Sequence, residues 1–301
     1  MKLTRFTANG KESYGVQIDE NQILDLPVLS QLAKQTFPSS LETLVLSGDK
    51  ERRRLENLVE IASEKNKTKA LVSIRKAKLL APIANPPKIV CLGLNYRDHV
   101  AEQNATTPED LVLFMKPRTA IIGPDDTIIK PPMVNKLDYE AELAVIVGKK
   151  AKNISKEEAR HHIFGYTCFN DVSARDIQFK DKQWTRGKSF DTFAPTGPCI
   201  TTADQISDPG NLRVQAKVNG ELRQNGSTGS MVFSVYEIVH KLSQVMTLEP
   251  CDIIATGTPA GVGFAMKPEP RFLQIGDIVE VEIEKIGVLR NSIAGVSDSA
   301  I

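Results

Sequence analysis

The sequence lacks paired cysteines, an excess of charge of one sign and a long hydrophobic run. Its four cysteines, Cys91, Cys168, Cys199 and Cys251, are far apart and form no CxxC pair, which argues against a disulfide framework or a zinc site. With 38 Lys and Arg against 37 Asp and Glu, the net charge is +1, so nothing favours nucleic acid or an acidic membrane. No segment approaches membrane-spanning length, and Gly10 comes too early for a signal-peptide core. We therefore expect a cytoplasmic protein that binds neither nucleic acid nor membranes.

A proline-rich segment divides the chain. Three prolines lie within residues 79–88, and such a cluster is typical of a linker. A chain of 301 residues is longer than the usual single domain, so one smaller and one larger domain are expected. We predict a small N-terminal α+β domain over residues 1–82 and a larger domain over residues 83–301.

The larger part of the chain is rich in strand-like segments. Before the linker, short strands are followed by a predicted helical stretch over residues 29–65. Helices are also predicted over 155–162, which begins with a Ser-x-x-Glu capping box, and over 235–245. The segments after the linker that have the composition of strands are KIVCLGLNY, TAIIG, AELAVIVGK, GYTCFNDV, LRVQAKVNG, DIIATGT and DIVEVEIEKIG. The predicted fold class is therefore α+β, dominated by sheet.

The segment LDYEAELAVIVGK, residues 137–149, begins with three carboxylates spaced two residues apart. Side chains alternate across a strand, so Asp138, Glu140 and Glu142 share one face. The strand continues into AVIV, an aliphatic run typical of a strand covered on both faces. Like charges in a poorly hydrated place persist only with protons, cationic partners or a metal ion. A solvated strand edge is the alternative interpretation of this row taken by itself.

A further acidic position favours the metal interpretation. Asp171 follows the strand-like GYTCF, at the point where the chain turns polar. Two carboxylates at i and i+2, with one from a separate strand, form an all-oxygen set suited to Mg²⁺ or Mn²⁺. The sequence thus predicts a divalent-metal site.

One His–Glu pair could carry proton chemistry. His99 and Glu102 in CLGLNYRDHVAE are three residues apart, so on a helical turn they share a face. The carboxylate can then orient the imidazole and stabilise its charged form, and the imidazole can take a proton from water. The alternative is an ordinary surface pair.

Two glycine-containing segments do not match nucleotide-binding motifs. The stretch KDKQWTRGKS around Lys188 lacks the earlier glycine that a P-loop requires. The segment TGTPAGVG, residues 256–263, lacks the GxGxxG spacing of a dinucleotide turn. It is better explained as a tight loop that presents backbone amides and the Thr258 hydroxyl.

Taken in order, five motifs resemble the fumarylacetoacetate hydrolase family. The likeness extends over roughly residues 86–295 and rests on LDYEAELAVIVGK, GYTCFNDVSARDIQ, RGKSFDTFAPTGP, VNGELRQ and DIIATGTPAGVG. It implies a catalytic domain of twisted, rolled mixed β-sheet with flanking helices, behind the small N-terminal domain. It also implies a homodimer with one Mg²⁺ or Mn²⁺ per active site. By this resemblance Glu140, Glu142 and Asp171 are the metal ligands, and Asp138 is not.

The resemblance also implies roles for other residues. His99 and Glu102 correspond to a catalytic dyad on a lid over roughly residues 95–110. Lys188 lies beside the metal and contacts the oxo-acid substrate. Substrate contacts are implied at Gln178 and Thr258, and we expect a further one at Arg97; Arg175 and Asp176 are expected to brace the loop.

These parts favour an enzyme that acts on a short 2-oxo acid through a metal-stabilised enolate. The first hypothesis is hydrolytic C–C cleavage of an acylpyruvate, with His99 and Glu102 activating water. The alternatives are decarboxylation of oxaloacetate and isomerisation or decarboxylation of 2-hydroxyhepta-2,4-diene-1,7-dioate in aromatic catabolism. A non-catalytic, metal-stabilised binding protein is a further alternative. The joint presence of His99, Glu102 and Lys188 argues against it, because a scaffold needs only the metal ligands.

Overall fold

The computed structural model describes residues 1–296 and is built on one large mixed sheet and two smaller ones. The strands are β1 Lys2–Ala8, β2 Lys11–Gln17, β3 Gln22–Asp25, β4 Leu71–Ser73, β5 Lys78–Leu80, β6 Ile89–Gly93, β7 Val112–Lys116, β8 Ile121–Ile122, β9 Thr127–Lys130, β10 Leu137–Asp138, β11 Ala141–Val147, β12 Ile163–Asn170, β13 Ser173–Ala174, β14 Ala194–Thr202, β15 Arg213–Val218, β16 Glu221–Ser227, β17 Ile253–Ala255, β18 Ile278–Ile283 and β19 Gly287–Gly295. The α-helices are α1 Leu26–Leu32, α2 Leu41–Ile61, α3 Glu64–Ala70, α4 Arg97–Glu102, α5 Lys156–Ala159, α6 Arg175–Gln178, α7 Thr185–Lys188 and α8 Val235–Val245. The predicted α+β, strand-rich class is confirmed.

The large sheet has twelve strands, in the order β4-β3-β2-β1-β14-β12-β11-β17-β6-β7, with β5 on β1 and β8 on β14. A five-stranded sheet runs β16-β15-β18-β19-β9, and β10 pairs with β13. Strand β1 joins the N-terminal strands to the rest, since Lys2 pairs with Thr201 and Leu3 with Ile200 of β14. The N-terminal segment therefore extends the main sheet, and the division at residues 82 and 83 stays a prediction.

Strand β11 shows why the aliphatic run AVIV lies at the centre of this sheet. All seven of its residues are buried. Leu143, Val145 and Val147 belong to one hydrophobic cluster, whereas Ala144 and Ile146 belong to a second. Both faces are thus covered, as the sequence predicts. Burying each large aliphatic side chain contributes roughly 1.5–3 kcal/mol, which holds this strand, and the residues at its start, firmly in place.

The helical stretch predicted over residues 29–65 is wrong in detail, because three separate helices occupy this region. Helix α1 begins at an Asp25 cap, and the Ser40 and Ser63 side chains accept hydrogen bonds that begin α2 and α3. Gly48 adds a kink inside α2 with φ 72°. The capping box before α5 and the bounds of α8 agree with the sequence prediction.

No helix among residues 1–296 is both long enough and apolar enough to cross a membrane.

Candidate active site

The ends of β11 and β12 bring three carboxylates together. These strands are antiparallel neighbours, with Ala141 opposite Asn170. Glu140 and Glu142 flank Ala141, and Asp171 follows Asn170, so all three acids meet at one end of the pair. One oxygen from each lies within 4.8 Å of the others, and all three residues are buried. The structure therefore brings together the acidic set that the sequence singles out as able to hold a metal ion.

Asp138 belongs to a different arrangement, although its sequence spacing matches that of Glu140 and Glu142. The chain leaves the ladder between β10 and β11, and the Asp138 carboxylate accepts hydrogen bonds from Arg175 Nε at 2.9 Å and Gly263 N at 2.8 Å. It thus ties β10 to Arg175 and to the loop after Thr258. The absence of a ligand role, implied by the family resemblance, is compatible with these contacts.

Glu142 has the chemistry expected of a ligand for a hard cation. Its Oε2 accepts a hydrogen bond from Gly257 N at 2.8 Å, while its buried Oε1 has no hydrogen-bond partner within the described chain. Burial, together with the charges of Asp171 and Glu140, raises the pKa of Glu142 well above its usual value. A divalent cation bound by the three acids would supply the missing partner, so the donor set fits Mg²⁺ or a similar ion.

The charges around this cluster do not balance. The buried carboxylates are Asp138, Glu140, Glu142 and Asp171, and the buried cations beside them are Lys116, Arg175 and Lys188. Four negative charges against three positive charges leave one carboxylate without a counter-charge. A bound divalent ion would make the net charge of this cluster positive, and the site would then attract an anionic ligand.

Each carboxylate oxygen of Asp171 accepts a hydrogen bond from a different lysine. Lys188 Nζ lies 2.7 Å from Asp171 Oδ2 and 2.9 Å from Glu140 Oε2. Burial alone would lower the pKa of Lys188, but Asp171 and Glu140 outweigh it and raise the pKa. Lys116 donates to Asp171 Oδ1, and to Val172 O at 3.0 Å. Lys116 is not among the site residues identified from the sequence. The one indication in the sequence is that this lysine ends the otherwise apolar strand VLFMK.

Arg175 braces its surroundings, as expected, and also forms part of the cavity wall. Besides Asp138, its guanidinium reaches Glu140 Oε1 at 2.7 Å and Gln178 Oε1 at 3.0 Å. Its Nη2 is buried and has no partner among residues 1–296. Phe264 covers the guanidinium, with the ring centroid 4.5 Å from Cζ. Arg175 therefore keeps one donor available for a ligand.

The predicted His–Glu dyad is formed at the end of α4. His99 Nδ1 lies 2.5 Å from Glu102 Oε1, and Glu102 Oε2 accepts from Gly261 N at 2.9 Å. His99 Nε2 lies 2.7 Å from Gln103 Nε2. A carboxylate at Nδ1 and an amide N–H at Nε2 together correspond to the tautomer with the proton on Nδ1 and the lone pair on Nε2.

A small cavity of about 40 Å³ is lined by both His99 of the dyad and Glu140 of the acidic cluster. Its polar lining includes Lys188, Gln178 and Thr258, three of the residues predicted to act on the substrate. The Thr258 hydroxyl is held in place by donating to Ala141 O at 2.9 Å.

Arg97 does not line the cavity. Its Nη1 donates to Met231 O at 2.6 Å, so it fastens the first turn of α4 instead. The substrate contact expected at Arg97 stays a prediction. The full lining is Leu92, Gly93, Leu94, His99, Gln103, Phe114, Glu140, Arg175, Gln178, Phe179, Trp184, Lys188 and Thr258.

Comparison with known proteins shows which family this chain resembles. Residues 88–294 match the family model described as fumarylacetoacetate (FAA) hydrolase C-terminal. The oxaloacetate tautomerase YisK of Bacillus subtilis is 43% identical over 287 residues, which cover 93% of this chain and 95% of that protein.

Two solved structures have the same fold over nearly the whole chain. The fumarylacetoacetate hydrolase from Exiguobacterium antarcticum superposes with a TM-score of 0.83 at 39% identity, covering 98% of this chain and 100% of that one. The 2-hydroxyhepta-2,4-diene-1,7-dioate isomerase from Mycobacterium marinum gives a TM-score of 0.75 at 33% identity, covering 99% and 100%. The names of these proteins cover a tautomerase, a hydrolase and an isomerase.

Proposed function

The chain belongs to the fumarylacetoacetate hydrolase family, and from that premise we propose that it is a metal-dependent tautomerase that interconverts the enol and keto forms of oxaloacetate. The observation that carries this proposal is the His99–Glu102 pair, whose imidazole lines a cavity that also contains cations and hydrogen-bond donors. Moving one proton between oxygen and carbon needs one such base and a site that stabilises an enolate. The similarity to a protein named oxaloacetate tautomerase supports the same conclusion.

The cavity is suited to hold the carboxylate end of a 2-oxo acid. Arg175 has an unused buried donor, and Lys188 and Thr258 lie on the same lining. Hydrogen bonds to charged groups in such a buried place are stronger than neutral ones and more directional. These side chains would therefore fix the first two carbons of the substrate and leave its third carbon toward His99.

Proton transfer then follows from the dyad. In ketonisation the enol O–H proton passes to His99 Nε2, the C=C double bond becomes C–C, the C–O bond becomes C=O, and His99 returns a proton to C3 to form the new C–H bond. We assign to His99 the proton that moves at C3, because Glu102 fixes its ring and stabilises the imidazolium. The Gly261 amide in turn fixes Glu102.

We propose Mg²⁺ or Mn²⁺ as the ion held by Glu140, Glu142 and Asp171. When bound, such an ion supplies Lewis-acid stabilisation of an enolate oxygen. The protein's own contribution is to orient these carboxylates, through Lys116, Lys188 and the strand ladder.

Acylpyruvate hydrolysis is the second candidate function. The same His99–Glu102 pair could take a proton from water beside a C4 carbonyl, and the solved relative from Exiguobacterium antarcticum bears the name of a hydrolase. The two functions share the enolate and differ in whether water attacks the substrate.

A substrate panel separates these possibilities. Purified protein with Mg²⁺ or Mn²⁺ would be given enol-oxaloacetate, keto-oxaloacetate, acetylpyruvate and fumarylpyruvate, with enol absorbance and pyruvate release measured for each. The proposal expects accelerated loss of enol absorbance with little pyruvate. Pyruvate release from the acylpyruvates without enol conversion would move the assignment to hydrolase, and pyruvate release from oxaloacetate would move it to decarboxylase.

A further inference from the structure

Gln103, the residue after the dyad, makes a contact that none of the sequence motifs assigns. Its Nε2 lies 2.7 Å from His99 Nε2, on the side of the ring opposite Glu102. The side chain is half-buried and lines the cavity. Gln103 therefore covers the lone pair that the proposed reaction uses, and it must move before His99 can exchange a proton with a ligand.

Part of the cavity lining is apolar. Leu94, Phe179 and Trp184 contribute mainly apolar surface to it, apart from the indole N–H. The charged groups of the cavity are paired with carboxylates: Lys188 with Glu140 and Asp171, and Arg175 with Asp138 and Glu140, which leaves only Arg175 Nη2 without a partner among residues 1–296. A second carboxylate that enters beside His99 would meet the Gln103 carboxamide, which already lies within hydrogen-bond distance of the ring.

We propose that Gln103 is a specificity-determining residue that selects 2-oxo acids with a second carboxylate. The Gln103 N–H transfers from His99 Nε2 to the distal carboxylate, and this movement frees the lone pair for proton transfer. A substrate without the distal carboxylate leaves Gln103 in place on His99. The inference deepens the proposed tautomerase function and rests on it.

A neutral amide is suited to this task for a physical reason. A lysine or arginine at this position would hold the carboxylate, but its charge would also oppose formation of the His99 imidazolium. A carboxamide can donate to a carboxylate or to an imidazole nitrogen with similar geometry and adds no charge beside the ring. When Gln103 exchanges His99 for the distal carboxylate, binding of that carboxylate therefore also frees His99 Nε2 for proton transfer.

Two non-reacting ligands test this selection without turnover. Malate and lactate of matched configuration share the carboxylate and 2-hydroxyl that would bind the ion, and only malate carries the distal carboxylate. Their affinities for Mg²⁺-loaded protein would be measured by calorimetry for the wild type, Gln103→Leu, Gln103→Glu and the exposed control Gln205→Leu. Melting curves of each variant would establish that it is folded.

The expected result is a loss confined to malate. Since a hydrogen bond to a charged group is lost, Gln103→Leu weakens malate by roughly ten- to one-hundred-fold and lactate by less than about twofold. Gln103→Glu weakens malate further through like-charge repulsion, and Gln205→Leu changes neither affinity. Equal losses for both ligands, unchanged malate binding, or a wild type that does not prefer malate would each overturn the proposal.

Turnover provides a separate readout. The value of kcat/KM for enol-oxaloacetate is expected to fall in Gln103→Leu, with KM rising more than kcat falls. A wild type that does not convert the enol would reject the proposed function, whereas the malate and lactate affinities would still decide the role of Gln103.

Discussion

Glu102 and Gly261 lie 159 positions apart in the chain, and the Gly261 amide donates a hydrogen bond to Glu102 Oε2 over 2.9 Å. The other oxygen of the same carboxylate holds His99 Nδ1. Tyr139 fixes the loop from the opposite side by donating to Gly261 O at 3.0 Å. The position of the base therefore depends on the glycine-rich loop that also carries Thr258, so α4 and this loop act as one unit.

Replacing His99 should remove proton transfer and leave the metal site intact. His99→Gln keeps a polar side chain but cannot carry a proton, so kcat for enol-oxaloacetate should fall by roughly 10²–10⁴-fold. The stabilisation by Mg²⁺ in thermal melts should persist, because His99 is not in the acidic cluster. The exposed His161→Gln is the matched control. A fall in kcat of less than about tenfold would contradict the assigned role.

Glu142→Gln should separate metal binding from folding. The amide keeps the shape of the side chain and cannot become charged, so the metal-free variant should melt no lower than the wild type. At a metal concentration of one hundred times Kd, the wild type should gain about 2.7 kcal/mol, and the variant should gain nothing. Melting curves with and without Mg²⁺ measure both effects, with the exposed Glu60→Gln as control. Equal stabilisation of both proteins would place the ion elsewhere.

Lys116→Met should destabilise the protein. It removes the partner of Asp171 Oδ1 and leaves Lys188 as the remaining cation on that carboxylate. Breaking a buried ion pair in this way costs about 3–5 kcal/mol, because an uncompensated charge stays in the interior. Urea unfolding of the metal-free protein measures the loss, with the exposed Lys65→Met as a control. A loss below about 1 kcal/mol would show that the pair is unimportant for stability.

Gly93→Ala should open one wall of the cavity. A Cβ added at Gly93 would lie 2.0 Å from Cζ3 of Trp184, so the indole must move. Trp184 packs against Phe114 and is the one tryptophan of the chain, so its emission should shift to longer wavelength as it becomes more hydrated. Gly210→Ala is the control, since its added methyl meets only Asp208 Oδ1 at 3.1 Å. An unchanged emission spectrum would mean that the wall adjusts without moving the indole.

The acidic cluster and the dyad could be predicted from the sequence because their members follow short-range patterns. Glu140 and Glu142 have the two-residue period of a strand, and His99 and Glu102 have the three-residue spacing of a helix. Asp171 stands where a strand-like segment ends, so its proximity to the glutamates follows once β11 and β12 pair. The same two-residue period makes Asp138 look equivalent to Glu140 and Glu142. The chain turns before β11, however, and the Asp138 carboxylate accepts a hydrogen bond from Arg175 instead.

The remaining site residues depend on contacts between distant parts of the chain. Lys116 reaches Asp171 across 55 positions, and nothing local in VLFMK distinguishes it from a lysine that ends an exposed strand. Gln103 could not be distinguished from an ordinary helix-end residue without knowing where the His99 ring points. Arg97 has the charge expected of a substrate contact, and its guanidinium donates a hydrogen bond to the carbonyl of Met231, 134 positions away in the chain.

The central claim is that the buried acids hold an ion that the reaction requires. The most direct test is the rate of enol-oxaloacetate ketonisation by chelator-treated protein, before and after Mg²⁺ is added, for the wild type and Glu142→Gln. We predict that chelation lowers the wild-type rate to the uncatalysed rate, that Mg²⁺ restores it, and that the variant stays at the uncatalysed rate throughout. Full activity of the wild type in the presence of chelator would contradict the account.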